Sequence, residues 1–454
     1  LTVTAGAVAA LAPTQEVDVM TNTVPKNSSP ARAGEDIFCW RTKGRLFSFA
    51  VFVAVAGLVL AGCGSRVGGT DSSSVTSCAD TSGDSVKIGF LNSLSGTMAI
   101  SENTVHDALV LGAEQINASG GVLGKKLEVV TEDGASEPTV FAEKATKLIG
   151  SDCVVAVFGG WTSASRKAML PVFEGANSLL FYPVQYEGLE ASPNIFYTGA
   201  TTNQQIVPAL DYLKQEGVTS LFLVGSDYVF PRTANKEIKA YAQANGIEVT
   251  GEEYAPLGHT DFATIVNKVK AADAGAVFNT LNGDSNVAFF KEYRNAGLTA
   301  DAMPVMSVSI AEEEVSGIGV DNLVGQLTAW NYYQTIDSPV NKTFVQEFKA
   351  KYGQGRVTSD PMEAAYTSLF LWKAMVEKAK SFTTDDVKNA ADGVSYEAPE
   401  GTVTVNGENH HITKTALIGK VAPDGLIYTE WSSGSPLEPD PFLSSYDWAK
   451  GLTG

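Results

Sequence analysis

Cysteine and histidine are both scarce in this chain, with four of each among 454 residues. Four cysteines are too few for a fold built on disulfides. Four histidines leave little from which to assemble the ligand cluster of a metal-dependent hydrolase. Positive charge is also in deficit: 32 Lys and Arg stand against 51 Asp and Glu, a net charge of −19. A nucleic-acid binder that grips phosphate needs clustered basic residues, so no nucleic-acid partner is expected. No repeat of solenoid period is present. The segment Gly160-Trp161-Thr162-Ser163-Ala164 is not a G-x-S-x-G nucleophile elbow. Walker A and G-x-G-x-x-G phosphate loops are missing too. His410 and His411 are adjacent, do not share a strand face and read as surface residues, while His106 and His259 are isolated. No metal site, no cofactor and no enzymatic activity are expected.

One apolar run stands out. Leu46 to Leu60 is fifteen residues without a charge, short of the roughly 20 needed to span a bilayer. Arg41, Lys43 and Arg45 precede it, and Leu60-Ala61-Gly62-Cys63 follows it. A basic flank, an apolar core and small residues before a cysteine make a secretory signal. LAGC resembles a bacterial lipobox, which would make Cys63 the lipidated N-terminus of a protein held on the outer, periplasmic face of the cell membrane. Residues 1–40 then read as an extension from a mis-called start or a disordered leader, 41–62 as the signal, and 63–84, rich in Gly, Ser, Thr and Asp, as a flexible tether. An oxidising space outside the membrane permits Cys78 to pair with Cys153; two free thiols are the other possibility.

From Val86 onward short buried strands alternate with amphipathic helices. Strands are expected at Val86–Leu91, Leu127–Val130, Val154–Phe158, Leu179–Tyr182, Ser220–Val224, Ala276–Thr280 and Val305–Val308. Helices fall between them, for example Thr139–Ile149, Ser165–Phe173, Thr233–Ala244 and Val287–Ala296. This alternation predicts βαβ units and parallel sheets, restarted once after Tyr197, hence two α/β lobes. The tail, two helices and then short strands from Thr402, has to pack across both.

Sites in open α/β lobes form at the C-terminal ends of strands. Those ends deliver Trp161, Thr162 and Ser163, then Tyr182 and Gln185, then Asp227 and Tyr228, then Asn282 and Asp284, and last Glu312. The aromatic residues suit flat walls, and the tyrosine hydroxyls, Ser163, Gln185 and Glu312 suit hydrogen bonding to a small polar ligand. Each has a plainer role open to it. The aromatics can be edge packing, Ser163 a helix cap, Asp284 a loop or cap residue, and Glu312 part of a solvated helix start with Glu313 and Glu314.

Ile88-Gly89-Phe90-Leu91-Asn92-Ser93-Leu94-Ser95-Gly96, Gly120-Gly121-Val122-Leu123-Gly124 and Glu132-Asp133-Gly134 resemble type I periplasmic binding proteins of the branched-chain amino-acid class. Trp161-Thr162-Ser163, Phe181-Tyr182-Pro183-Val184-Gln185-Tyr186-Glu187-Gly188 and Gly225-Ser226-Asp227-Tyr228 with Phe230-Pro231-Arg232 resemble its urea- and amide-binding branch. The resemblance runs from Val86 to the Pro439-Asp440-Pro441 tail. It implies two Rossmann-like lobes with parallel sheets, joined by three crossover strands. The first lobe would comprise 85–200 and 329–398, the second 201–328 and 399–454. It further implies a lipoprotein that captures urea or a short amide by lobe closure and delivers it to an ABC-transporter permease, with Ser163, Tyr182 and Tyr228 on matching motif positions. Val184-Gln185 departs from the small Thr-Pro of a regulatory amide-binding relative, and Phe230 replaces a tyrosine, which favours urea over acetamide with Gln185 as a contact. A branched-chain amino acid as ligand, or a sensor reporting to a signalling partner, are the other roles that this fold admits. The lipobox reading makes Cys63→Ala a release variant: the protein should move from the membrane fraction to the medium or periplasm, and retention in membranes would refute the anchor.

Overall fold

The computed structural model describes residues 75–453. The extension, the signal segment and Cys63 lie outside the described residues. The first half alternates strictly: β1 (Ser85–Asn92), α1 (Ala99–Ala118), β2 (Lys126–Asp133), α2 (Pro138–Gly150), β3 (Val157–Gly159), α3 (Ser163–Ala176), β4 (Leu180–Tyr182) and β5 (Ile195–Tyr197). The second set follows as α4 (Ile206–Gln215), β6 (Ser220–Ser226), α5 (Val229–Asn245), β7 (Glu248–Ala255), α6 (Ala263–Ala272), β8 (Ala276–Thr280), α7 (Ser285–Asn295), β9 (Val305–Ser307), α8 (Glu312–Ile318) and β10 (Leu327–Trp330). The tail adds α9 (Pro339–Tyr352), α10 (Asp360–Ala379), α11 (Thr384–Ala390) and β11 (Ser395–Ala398) to β14: β12 (Gly401–Thr404), β13 (Leu417–Val421) and β14 (Ile427–Ser432).

Two sheets result. The first has the order β2-β1-β3-β4-β5 and is parallel throughout. The second has the order β14-β13-β10-β9-β8-β6-β7. It is parallel except for the tail strands β13 and β14, which pair antiparallel at one edge. The inner strands read VFG, LFY and AVFNT and are buried along their whole length, as parallel strands with helices on both faces must be. Phe158, Phe181 and Phe196 stack across β3, β4 and β5 with ring centres 4.9 Å apart at each step. The helices begin earlier than apolar periodicity suggests. α5 starts at Val229 and carries Pro231 in its first turn, where the missing N–H has no intrahelical partner to lose. The edge strand β7 reads EVTGEEYA and is only partly buried, so it lacks the apolar run that marks the inner strands.

The chain passes between the two cores three times, and buried polar groups tie the passages together. Asp360, at the start of α10, accepts the backbone N–H of Asn331 and of Tyr332, both at 2.9 Å. The Asn331 amide donates to the carbonyls of Gln204 (3.1 Å) and Thr415 (3.0 Å). Lys414, without exposure, donates to Glu400 (2.6 Å) and to the Thr198 carbonyl (3.1 Å). The third passage differs from the expected boundary at 398/399. Val403, Val405 and Ile412 still belong to the first core, and Leu417 and Ile418 to the second lobe's cores. The hairpin β11–β12 needs an apolar surface to cover, and Val394 and Ala398 lie in that same first core.

Cys78 and Cys153 form a disulfide with Cα atoms 4.7 Å apart. It pins the incoming chain, whose Cys78 N–H also donates to the Ile149 carbonyl at 3.2 Å. The bond joins residues 75 apart in sequence, and cross-links of this class stabilise by about 2–4 kcal/mol. Cys78→Ser should lower guanidinium unfolding stability by about that amount while leaving the far-ultraviolet circular dichroism unchanged; an unshifted midpoint would show that the bond constrains nothing.

Candidate functional site

The C-terminal ends of the two sheets meet across a cleft. From the first come Asn92 (end of β1), Trp161 (after β3), Tyr182 (end of β4) and Gln185. From the second come Ser226 (end of β6), Tyr228, Asn282 (after β8) and Ser309 (after β9). A polar chain crosses the gap. The Gln185 amide donates to the Val308 carbonyl (2.8 Å) and to Ser309 Oγ (3.2 Å). Ser309 Oγ also accepts from Asn282 (2.8 Å), and Asn282 Oδ1 accepts the Tyr228 hydroxyl (2.7 Å). Thr97 O accepts from the Asp284 N–H at 3.3 Å, and Ser101 donates to Glu314. These bonds hold the lobes in contact, with Trp161, Tyr182, Gln185 and Asn282 buried.

Behind Tyr182 lies an ion cluster. Arg166, one turn along α3 from Ser163, is wholly buried. It donates to Glu190 (2.7 Å), Glu187 (3.2 Å) and Ser163 Oγ (2.9 Å), and Ser163 in turn donates to Glu187. Its guanidinium sits 4.4 Å from the Tyr186 ring centre and 5.0 Å from that of Tyr182. Burial alone would raise the Glu190 pKa, but Arg166 and Lys167 outweigh it and hold the carboxyl at about 2. Burial pushes the Tyr182 and Tyr228 phenols up, so both stay neutral donors. The Tyr182 hydroxyl donates to the Trp161 carbonyl.

The structure therefore brings Trp161, Tyr182, Gln185 and Tyr228 together and sorts the other expected residues elsewhere. Thr162, not Ser163, caps α3, accepting from Ser165 N at 3.1 Å. Ser163 belongs to the ion cluster. Asp227 is exposed and paired with Arg232 at 2.6 Å, because the aspartate precedes α5 and the arginine lies on its first turn. Asp284 is exposed beside a surface groove lined also by Phe262 and Lys291. Glu312 is buried, not solvated, and accepts the Gln334 N–H at 2.7 Å beside a chain passage, where burial raises its pKa. His410 and His411 are also buried, against expectation: His410 stacks on Phe196 and His411 on Tyr197, each with ring centres 4.3 Å apart. Asn92, Glu102 and Arg166 were not anticipated in the site. Arg166-Lys167 and Glu187 carry the only signal, one basic pair and one acid a few residues beyond strand ends. Among the described residues no group of three or more His, Cys, Asp or Glu converges for a metal ion, and no helix is long and apolar enough to cross a membrane.

Removing one member of a buried ion pair leaves its partner uncompensated at a cost of about 3–5 kcal/mol. Arg166→Met should destabilise the protein by that order in guanidinium titration, and Arg166→Met/Glu187→Gln should recover part of the loss. Equal stability of wild type and Arg166→Met would show the cluster to be unimportant.

Residues 86–447 match the periplasmic binding protein domain family. The chain is 26% identical over 373 residues to Leu/Ile/Val-binding protein homolog 6 of Brucella melitensis, covering 80% of this chain and 94% of that one. It is 25% identical over 329 residues to the leucine-, isoleucine-, valine-, threonine- and alanine-binding protein of Pseudomonas aeruginosa, covering 70% and 85%. A solute-binding protein of an ABC transporter from Rhodopseudomonas palustris HaA2, solved with p-hydroxybenzoic acid, superposes with a TM-score of 0.72 at 26% identity, covering 80% of this chain and all of that one. Two strand-end surfaces meeting over a cleft, and a match across nearly the whole described region, lead to one family: the chain belongs to the periplasmic binding proteins, as a solute-binding protein of the kind that serves ABC transporters.

Proposed function

We propose that this protein binds urea in the interlobe cleft and delivers it to an ABC-transporter permease from the outer face of the membrane, tethered through a lipid on Cys63. The observation that carries the reading is the pairing of free hydrogen-bonding capacity with cancelled charge. Trp161 Nε1 and Gln185 Oε1 are buried without partners, one donor and one acceptor. Arg166, the cation beside the cleft, already holds two carboxylates. A neutral planar ligand with one carbonyl and several N–H groups matches such a lining. Its carbonyl takes the indole N–H and its amino groups the amide oxygen, between the rings of Tyr182 and Tyr228. A carboxylate ligand calls instead for charge-assisted donors, and Arg166 already directs its N–H groups to Glu187, Glu190 and Ser163. Closure of the two lobes would exclude water, so that a ligand lacking the right groups leaves buried polar atoms unpaired at about 1–3 kcal/mol each. Capture needs no chemistry on the ligand.

A second reading rests on the relatives. Proteins named for binding leucine, isoleucine and valine, and others solved with hydroxybenzoates, are similar to this chain. An amino acid or aromatic acid is the ligand class that they favour. Calorimetric titration of the purified protein with urea, acetamide, leucine and 4-hydroxybenzoate separates the two. Saturable heat with urea, and Trp161→Phe binding roughly fivefold weaker for the lost indole hydrogen bond of about 1 kcal/mol, supports the urea site. Heat from leucine or 4-hydroxybenzoate alone would overturn it and leave the family role intact.

A further inference from the structure

One buried acid on the cleft side of the first lobe is only half used by the fold's own bonding. Glu102, on the first turn of α1, has no exposure. Its Oε2 accepts the Ser93 N–H at 2.7 Å, and its Oε1 has no hydrogen-bond partner. Beside it stands Asn92, the last residue of the inner strand β1, also without exposure; its amide is near enough to favour the Glu102 carboxylate but neither of its atoms makes a well-formed hydrogen bond. Three polar atoms at one strand end are thus left with hydrogen-bonding capacity that the fold does not fully use, a costly arrangement unless something fills it. The place lies toward the opposite lobe, since Ser101, the residue before Glu102, donates to Glu314 on α8. The phenol of Tyr228, across the gap, lies in the fields of Tyr182, Glu187, Arg166 and Glu102 together. No cation is among the groups that act most on Glu102, which are Ser93, Asn92 and Asp133.

We propose that Glu102 and Asn92 are ligand contacts: the Glu102 carboxylate accepts an N–H of the bound solute through Oε1, and the Asn92 amide bonds the same ligand alongside. This rests on the urea reading and deepens it, because it gives the N–H groups an anionic acceptor and sets a like charge against any ligand carboxylate. Gln185 and Trp161 then bond the ligand beside Tyr182, and Glu102 and Asn92 complete the set from β1 and α1.

The charge state of Glu102 supplies a readout that a purely structural role would not move. Burial raises its pKa to about 7, against the lowering effect of Ser93 and Asn92. A ligand that needs the carboxylate therefore binds fully above pH 7 and more weakly below it, as a proton competes. Nearby, Asp133 is held low by the N–H and hydroxyl groups around it, and Tyr182 and Tyr228 stay neutral. Glu313 and Glu314 on α8 pack across from α1 and are themselves raised, Glu313 to about 8. Their contribution is what remains in a variant without the Glu102 charge.

The test is calorimetric titration with urea at pH 8.5 and 5.5, on wild type and Glu102→Gln. The expected result is a wild-type Kd that rises about tenfold or more on acidification, and a Glu102→Gln Kd at least tenfold weaker at pH 8.5 with a smaller pH response. Equal affinities, or equal pH responses in the two proteins, would overturn the Glu102 contact while leaving urea as the ligand. A wild type silent to urea at both values would overturn the urea reading and this inference with it. If Glu102→Gln does not fold, Asn92→Ala carries the test: a urea Kd raised at least fivefold supports the contact and an unchanged one refutes it.

Discussion

A lysine with no access to water sits where the two halves of this molecule are joined. An ammonium in that position is untenable without partners, and Lys414 has them: Glu400 and the Thr198 carbonyl by direct bonds, Asp360 and Glu363 close by. Burial pulls its pKa down, and the three carboxylates more than reverse that. The same burial raises the three acids. Because Thr198, Asn331 and Lys414 stand on three different passages between the cores, the group fixes the passages to one another. Any turning of one lobe on the other has to occur about this knot. Gln185 and Ser309, which meet in the cleft, come from opposite sides of this junction.

The molecule contains a second buried charge system with the opposite consequence. Around Lys414 charge holds backbone segments together. Around Arg166 charge is cancelled, by Glu187 and Glu190 on one side and two tyrosine rings on the other. The result is a rigid, polar wall behind Tyr182 that shows little net charge to the cleft. Desolvation makes such a wall selective, because a ligand there can be matched only by groups that are already in place. Trp161, Gln185, Asn92 and Glu102 each keep a buried polar atom without a well-formed partner.

Much of the site was legible in the chain, and the exceptions share a cause. Trp161, Tyr182, Gln185 and Tyr228 lie near one another, as expected, because parallel strands end on one side of a sheet and the residues after each strand can be counted. Asp227 followed the same rule and failed, since an arginine one helical turn along claimed its carboxylate before the cleft could. Glu102 looked like an ordinary acid on the first turn of a helix. Nothing local says that this turn lies against the end of β1. His410 and His411 read as surface residues because adjacent residues do not share a strand face, yet they stack on Phe196 and Tyr197. The third passage was placed too early because a hairpin strand carries no mark of which core covers it.

By itself, the sequence determined the alternation of buried strands and helices, the parallel sheets, their division into two lobes and the absence of a nucleophile elbow or phosphate loop. These follow from hydrophobic period and turn chemistry, which act over a few residues. Tertiary structure alone decided which polar side chains share the cleft. Gln185 reaches the Val308 carbonyl across 123 residues of chain, and Lys414 reaches Thr198 across 216. Contacts at such separations depend on how two finished cores dock, and the local pattern at either end holds no record of the other.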